Sequence, residues 1–155
     1  YFHEMGYRLS GGMIYKLTEP LMGINDMKMM IRNALGGDCL TPDEAEKIDL
    51  ICQGRCGAQL MIPLKAGTIG GIEGLEEAAA LPCVTDFLQY YYPGDTIREK
   101  HIGTLQQHFG RFTIIADNED GIEECVEKIQ KLLFIYDAEG HIMNYKAFDC
   151  GRIRK

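Results

Sequence analysis

A chain of 155 residues is long enough for one ordinary domain and can bury about 70% of its unfolded surface. Its 46% hydrophobic content, without an uninterrupted apolar run of spanning length, fits a globular protein and argues against a membrane span. The net charge of -7, with Lys and Arg scattered along the chain, repels a phosphodiester backbone and argues against nucleic acid as a partner.

In chain order, the first segment alternates Phe2, Glu4, Gly6 and Arg8 with His3, Met5, Tyr7 and Leu9, the period of a strand. "GGMIYKLTEPLMG" reads as a glycine turn into a short apolar helix punctuated by Pro20 and Gly23. "NDMKMMIRNALGG" predicts a helix with Asn25 as cap and Gly36 as stop, and with Met27, Met30, Ile31 and Leu35 on one face. "TPDEAEKIDLIC" opens like another helix, with Thr41 as cap, Pro42 in the first position and Asp43 and Glu44 at the amino end. Beyond residue 55, "AQLMIPLKAG" and "FLQYYYPGD" read as strands with "EGLEEAAAL" as a short helix between them. "GRFTIIAD" is a strand, "NEDGIEECVEKIQKLLF" a capped amphipathic helix, and "HIMNYKAF" a final strand after the "DAEG" turn. The expected class is α+β, with a small mixed or antiparallel sheet and packed helices.

Six cysteines, Cys39, Cys52, Cys56, Cys83, Cys125 and Cys150, are few for this length and read as reduced thiols of a cytoplasm. Cys52 and Cys56 form a CxxxC pair, which has neither the zinc-ribbon nor the thioredoxin spacing, so buried or incidental thiols are expected. His101 and His108 could serve acid-base chemistry, yet no neighbouring carboxylate in sequence completes a pair. "YYY" at residues 90 to 92 lacks a basic groove and reads as strand surface. Asp95 in "PGD" shapes a turn, and Glu124 and Lys128 pair at i,i+4 on a solvated helix face.

The stretch "EMGYRLSGG" carries the chemistry. Glu4 and Arg8 are four residues apart on one strand face, at most about 13 Å by backbone rise, so both can point into one cleft. A hard cation such as Mg²⁺ takes a carboxylate oxygen together with substrate phosphates, which suits Glu4. A guanidinium such as Arg8 neutralises a transferring phosphoryl group or an acyl phosphate. Gly11 and Gly12 would let backbone amides approach an anion at the start of the next helix. On spacing alone, a surface ion pair followed by a plain glycine turn explains the same residues.

These residues resemble the ExNxR strand and glycine turn of the ATP-grasp superfamily. The resemblance implies Glu4 as a metal ligand on Mg²⁺ that bridges the phosphates of ATP, and Arg8 as a catalytic residue facing acyl phosphate or substrate carboxylate. Gly6 stands where the family has Asn, so the second metal ligand of the motif is missing. The run from Gly11 through "ALGG" looks like the family's passage from catalytic strand into helix. "KAGTIGGIEGLEEAAALPCVTDFLQYYYPGD" and "GRFTIIADNEDGIEECVEKIQKLLFIYDAEG" are similar to the carboxy-terminal regions of amino-acid ligases and biotin-carboxylase-like proteins.

The resemblance divides the chain into residues 1–45, the tail of an ATP-grasp catalytic domain, and 46–155, a closing domain of the biotin-carboxylase or amino-acid-ligase kind. No GxGxxG or P-loop pattern occurs. The family's phosphate-holding loop and lysines lie upstream of the ExNxR strand, and the chain opens on Tyr1 and not on Met, as a piece of a longer chain would. The implied parent is an ATP- and Mg-dependent carboxylate-amine or carboxylate-thiol ligase of the carbamoyl-phosphate-synthase-like kind, joining a small carboxylate to an amine through an acyl phosphate. Its partners would be the upstream ATP-grasp and preATP-grasp domains, and the piece alone would be inert. An exposed apolar surface from Met27 to Leu35 would lead the piece to self-associate into a homo-oligomer. A stand-alone α+β binding or regulatory module without catalysis is the alternative.

Overall fold

Among the described residues of the first part of the chain, capping side chains set two of the three α-helices. The computed structural model describes residues 11–145 and 148, and the chain divides into two compact units between Arg55 and Cys56. In the first unit, helix α1 spans Tyr15–Met22 and ends at Gly23, whose φ of 74° is the left-handed stop that glycine adopts without strain. Helix α2 spans Asp26–Ala34, and the Asn25 side chain accepts from the Lys28 amide at 2.9 Å, so the expected cap is in place. Helix α3 spans Pro42–Glu46 behind a full capping box, in which Thr41 and Glu44 satisfy each other's amides. Lys28 pairs with Glu19 of α1, and Arg32 of α2 pairs with Glu44 of α3 at 2.6 Å. Leu17 and Leu21 on α1 are buried, whereas no residue of α2 is.

The second unit is built from two three-stranded antiparallel sheets. Strands β1 (Cys56–Pro63), β3 (Val84–Gln89) and β5 (His108–Ala116) form one, in the order β1-β5-β3. Strands β2 (Gly67–Glu73), β4 (Thr96–Ile97) and β6 (Phe134–Asp137) form the other, in the order β4-β2-β6. Helix α4 is Leu75–Ala79, and α5, Glu119–Leu132, starts from an Asn118 cap. Pro63 closes β1, an edge strand, where a missing amide costs no ladder bond.

One core holds this unit together. Leu60 and Ile62 of β1, Phe109, Phe112 and Ile114 of β5, and Ile122, Val126 and Ile129 of α5 meet in it with Ile69, Ile97 and Ile135 of the second sheet. The Phe87 and Phe112 rings lie 4.3 Å apart between centroids. The class is α+β, with both sheets antiparallel. Among the described residues, no helix is long and apolar enough to cross a membrane.

Four sequence expectations need correction. The strand expected through "FLQYYYPGD" ends at Gln89, because Asp95 accepts from the Tyr92 amide at 2.7 Å and turns the chain there. The expected last strand at "HIMNYKAF" is reduced, among its described residues, to single bridges at Ile142 and Asn144, and the regular strand is β6 before it. Strand β2 was not anticipated, since Gly67, Gly70 and Gly71 weaken a strand pattern. A Cβ on Gly70 would lie 2.5 Å from the Asp137 carbonyl oxygen, so close strand approach demands the glycine that hid the strand. Lastly, the cysteines are not all reduced, because Cys83 and Cys125 are joined in a disulfide between the start of β3 and α5.

Candidate functional site

Glu4 and Arg8, the expected metal ligand and catalytic arginine, lie outside the described residues, as does Gly6. Gly11 and Gly12 form a turn that leads into α1, with Gly11 exposed and Gly12 half-buried. An added Cβ at Gly11 would meet nothing within 4 Å. Packing among the described residues therefore does not require glycine at 11. The amino end of α1 is left without a side-chain cap, since Ile14 provides none.

Helix α2 presents an unusual face. Met30, Ile31 and Leu35 are 43%, 52% and 82% exposed, so the stripe that should seat an amphipathic helix lies in solvent. Its polar flank does the holding instead. Arg32 keeps the Glu44 carboxyl far below its ordinary range, at about 2, helped by the Thr41 amide. Lys28 and Asn25 likewise lower Glu19 by hydrogen bonds.

The remaining sequence candidates find ordinary roles. Cys52 and Cys56 are free, half-buried thiols. His101 Nδ1 accepts from the Arg98 amide at 3.3 Å, and His108 Nδ1 lies 3.2 Å from the Leu105 carbonyl oxygen. Tyr91 donates to the Gln106 carbonyl at 2.7 Å, while Tyr90 and Tyr92 are exposed. Glu124 and Lys128 form the expected ion pair at 2.7 Å.

Two features were missed by sequence reasoning. Arg111 is 5% exposed on β5, reaches Gln59 Oε1 at 3.5 Å, and has no hydrogen-bond partner for Nη2 among the described residues. Its alternation with Phe112 in "GRFTIIAD" places it on the other strand face, which was the available signal. Asp137, Glu139 and His141 also gather donor atoms within 4.8 Å of one another. The Asp137 carboxylate there already accepts from the Glu139 and His141 amides and faces His141 Nδ1 at 3.1 Å, which closes the turn after β6. Those bonds, the His141 amide first, lower its pKa.

The chain is similar in structure to an L-amino acid ligase from Bacillus licheniformis, with a TM-score of 0.66, 24% identity, and 85% of this chain covered against 32% of that one. It is similar also to a phosphoribosylglycinamide synthetase from Anaerococcus prevotii, with a TM-score of 0.65, 17% identity, and 80% covered against 30%. Both are ATP-grasp ligases, and the likeness shows that the fold is shared. The chain spans about a third of the length of either. No protein-family model and no curated protein matches it.

Proposed function

We propose that this chain is the carboxy-terminal part of an ATP-dependent ligase that joins a small carboxylate to an amine. The observation that carries the reading is coincidence: the segment that resembles the ExNxR strand precedes a fold shared with two ATP-grasp ligases over four-fifths or more of the chain.

In this reading Glu4 would hold Mg²⁺, and the metal would supply charge neutralisation at the phosphates of ATP. Arg8 would face the acyl phosphate formed when the carboxylate attacks the terminal phosphate of ATP and ADP leaves; the amine then displaces phosphate from the acyl carbon and gives up a proton. Catalysis comes from positioning and from neutralising charge that grows in the transition state. Gly11 and Gly12 keep side chains away from the turn that leads into the uncapped end of α1, where amides favour an anion. An upstream ATP-grasp part would supply the phosphate loop and cover the exposed stripe of Met30, Ile31 and Leu35. The 155-residue chain by itself is then inert, and a cytoplasmic setting belongs to the same reading.

Gly6 in place of the motif Asn favours a second reading, a binding or regulatory module without catalysis. Sequencing the gene upstream of Tyr1 separates the two. The ligase reading requires an open frame encoding a glycine-rich phosphate loop and paired lysines. A start codon directly before Tyr1 overturns it.

A further inference from the structure

Cys125 is 1% exposed on the inner face of α5, and its partner Cys83 is half-buried in the turn between α4 and β3. Their Cα atoms are 6.3 Å apart across 42 residues of sequence. Both line a cavity of about 450 Å³ with Asn118, Gly121 and Lys128; Cys125 belongs to the buried core, and Cys83 packs half-buried against it. The Cys83 carbonyl also accepts from the Ile115 amide at 2.9 Å, which fixes this corner to β5 with or without the disulfide.

We propose that Cys83 is a site of thiol–disulfide exchange with small thiols of the glutathione class, and that Cys125 is its resolving thiol. The inference is independent of the ligase reading. A small thiolate attacks Sγ of Cys83 from the cavity; the bond to Cys125 breaks, a mixed disulfide forms on Cys83, and Cys125 leaves as a thiolate that takes a proton from water. A second small thiol attacks the outer sulfur of that adduct, releasing Cys83 as a thiol and the two small thiols as one disulfide. Protein disulfide is reduced by two electrons and two thiols are oxidised, so the step balances. The reverse runs through attack of Cys125 on the Cys83 adduct.

Burial makes the pair asymmetric, because Cys83 is half-buried and Cys125 is 1% exposed, which leaves Cys83 the sulfur easier to attack. It also lets the reduced form stay folded, since a thiol at 125 packs as a small hydrophobe among Ile122, Val126 and Ile129. Reduction then loosens one corner, that of α4 and the start of β3 against α5, and leaves the core intact.

The test equilibrates the 155-residue chain in glutathione buffers over a wide range of reduced-to-oxidised ratio, followed by alkylation and mass spectrometry. The cross-linked fraction should follow the ratio through a midpoint. Reduction should speed amide hydrogen exchange in residues 81–86 and 119–128 and lower Tm by about 10 °C, with the far-ultraviolet spectrum unchanged. Cys125→Ser should trap a glutathione adduct on Cys83, at least tenfold above any adduct on Cys125 in Cys83→Ser. A bond fully formed or fully absent at every ratio, equal adducts in the two variants, or unchanged exchange on reduction overturns the proposal. If either variant does not fold, the ratio titration and exchange of the unaltered chain decide alone.

Discussion

Arg32 of α2 donates to Glu44 of α3 at 2.6 Å, and the same carboxylate accepts from the Thr41 amide at 2.9 Å. One exposed side chain thus joins two helices and caps one of them. Its carboxyl titrates at about 2 against an ordinary 4.5, chiefly through the Arg32 bond. A carboxyl lowered on folding stabilises above its unfolded pKa, and that contribution fades as pH falls from 4.5 toward 2. The unaltered chain should therefore exceed Glu44→Gln in urea midpoint at pH 7, and most of the gap should be lost by pH 2. A gap undiminished at pH 2 contradicts the linkage.

Asn144, 6% exposed, accepts from the Ile135 amide at 2.9 Å and donates to the Leu133 carbonyl at 3.1 Å. It closes the backbone of β6 where, among the described residues, no regular strand follows. Asn144→Leu leaves both backbone groups unpaired away from water and should cost about 3 kcal/mol in urea unfolding. A loss below about 1 kcal/mol would mean that water reaches β6.

Gly74, with φ of +71°, sets the turn from β2 into α4, and a Cβ there would lie 1.9 Å from the Leu132 carbonyl oxygen. Gly94 has φ of +95° but open space around it. Gly74→Ala should cost about 3 kcal/mol or more, from strain and backbone clash together, and Gly94→Ala about 1 kcal/mol, from strain alone. Equal losses in thermal melts would sink the clash argument.

These cases show where the chain could be read from its residues. Asn25, Thr41, Pro42 and Asn118 fix helix starts through local capping, so α2, α3 and α5 were legible. The short apolar runs of β1 and β5 were equally plain. Strand β2 was hidden because its Gly70 answers to Asp137, 67 positions away, and no local pattern reports such a contact. Asn144 and the Cys83–Cys125 bond were missed for the same reason. The exposed stripe of α2 was legible from periodicity together with the resemblance to part of a longer chain, and Met30, Ile31 and Leu35 are exposed as expected, while Met27 is half-buried. Of the candidate site, the residue types and spacing of Glu4, Arg8, Gly11 and Gly12 were readable, and their chemistry rests on the motif they resemble.

That chemistry is open to one direct measurement. The gene that encodes this chain, expressed with everything in frame upstream of Tyr1, should release phosphate from ATP only when Mg²⁺, a small carboxylate and an amine are all present. In that protein Glu4→Gln should lower kcat at least a thousandfold, by removing a metal-held charge from the transition state, while thermal stability stays unchanged. Ligase turnover retained in Glu4→Gln would contradict the assignment of Glu4 as the metal-binding carboxylate on which the account depends.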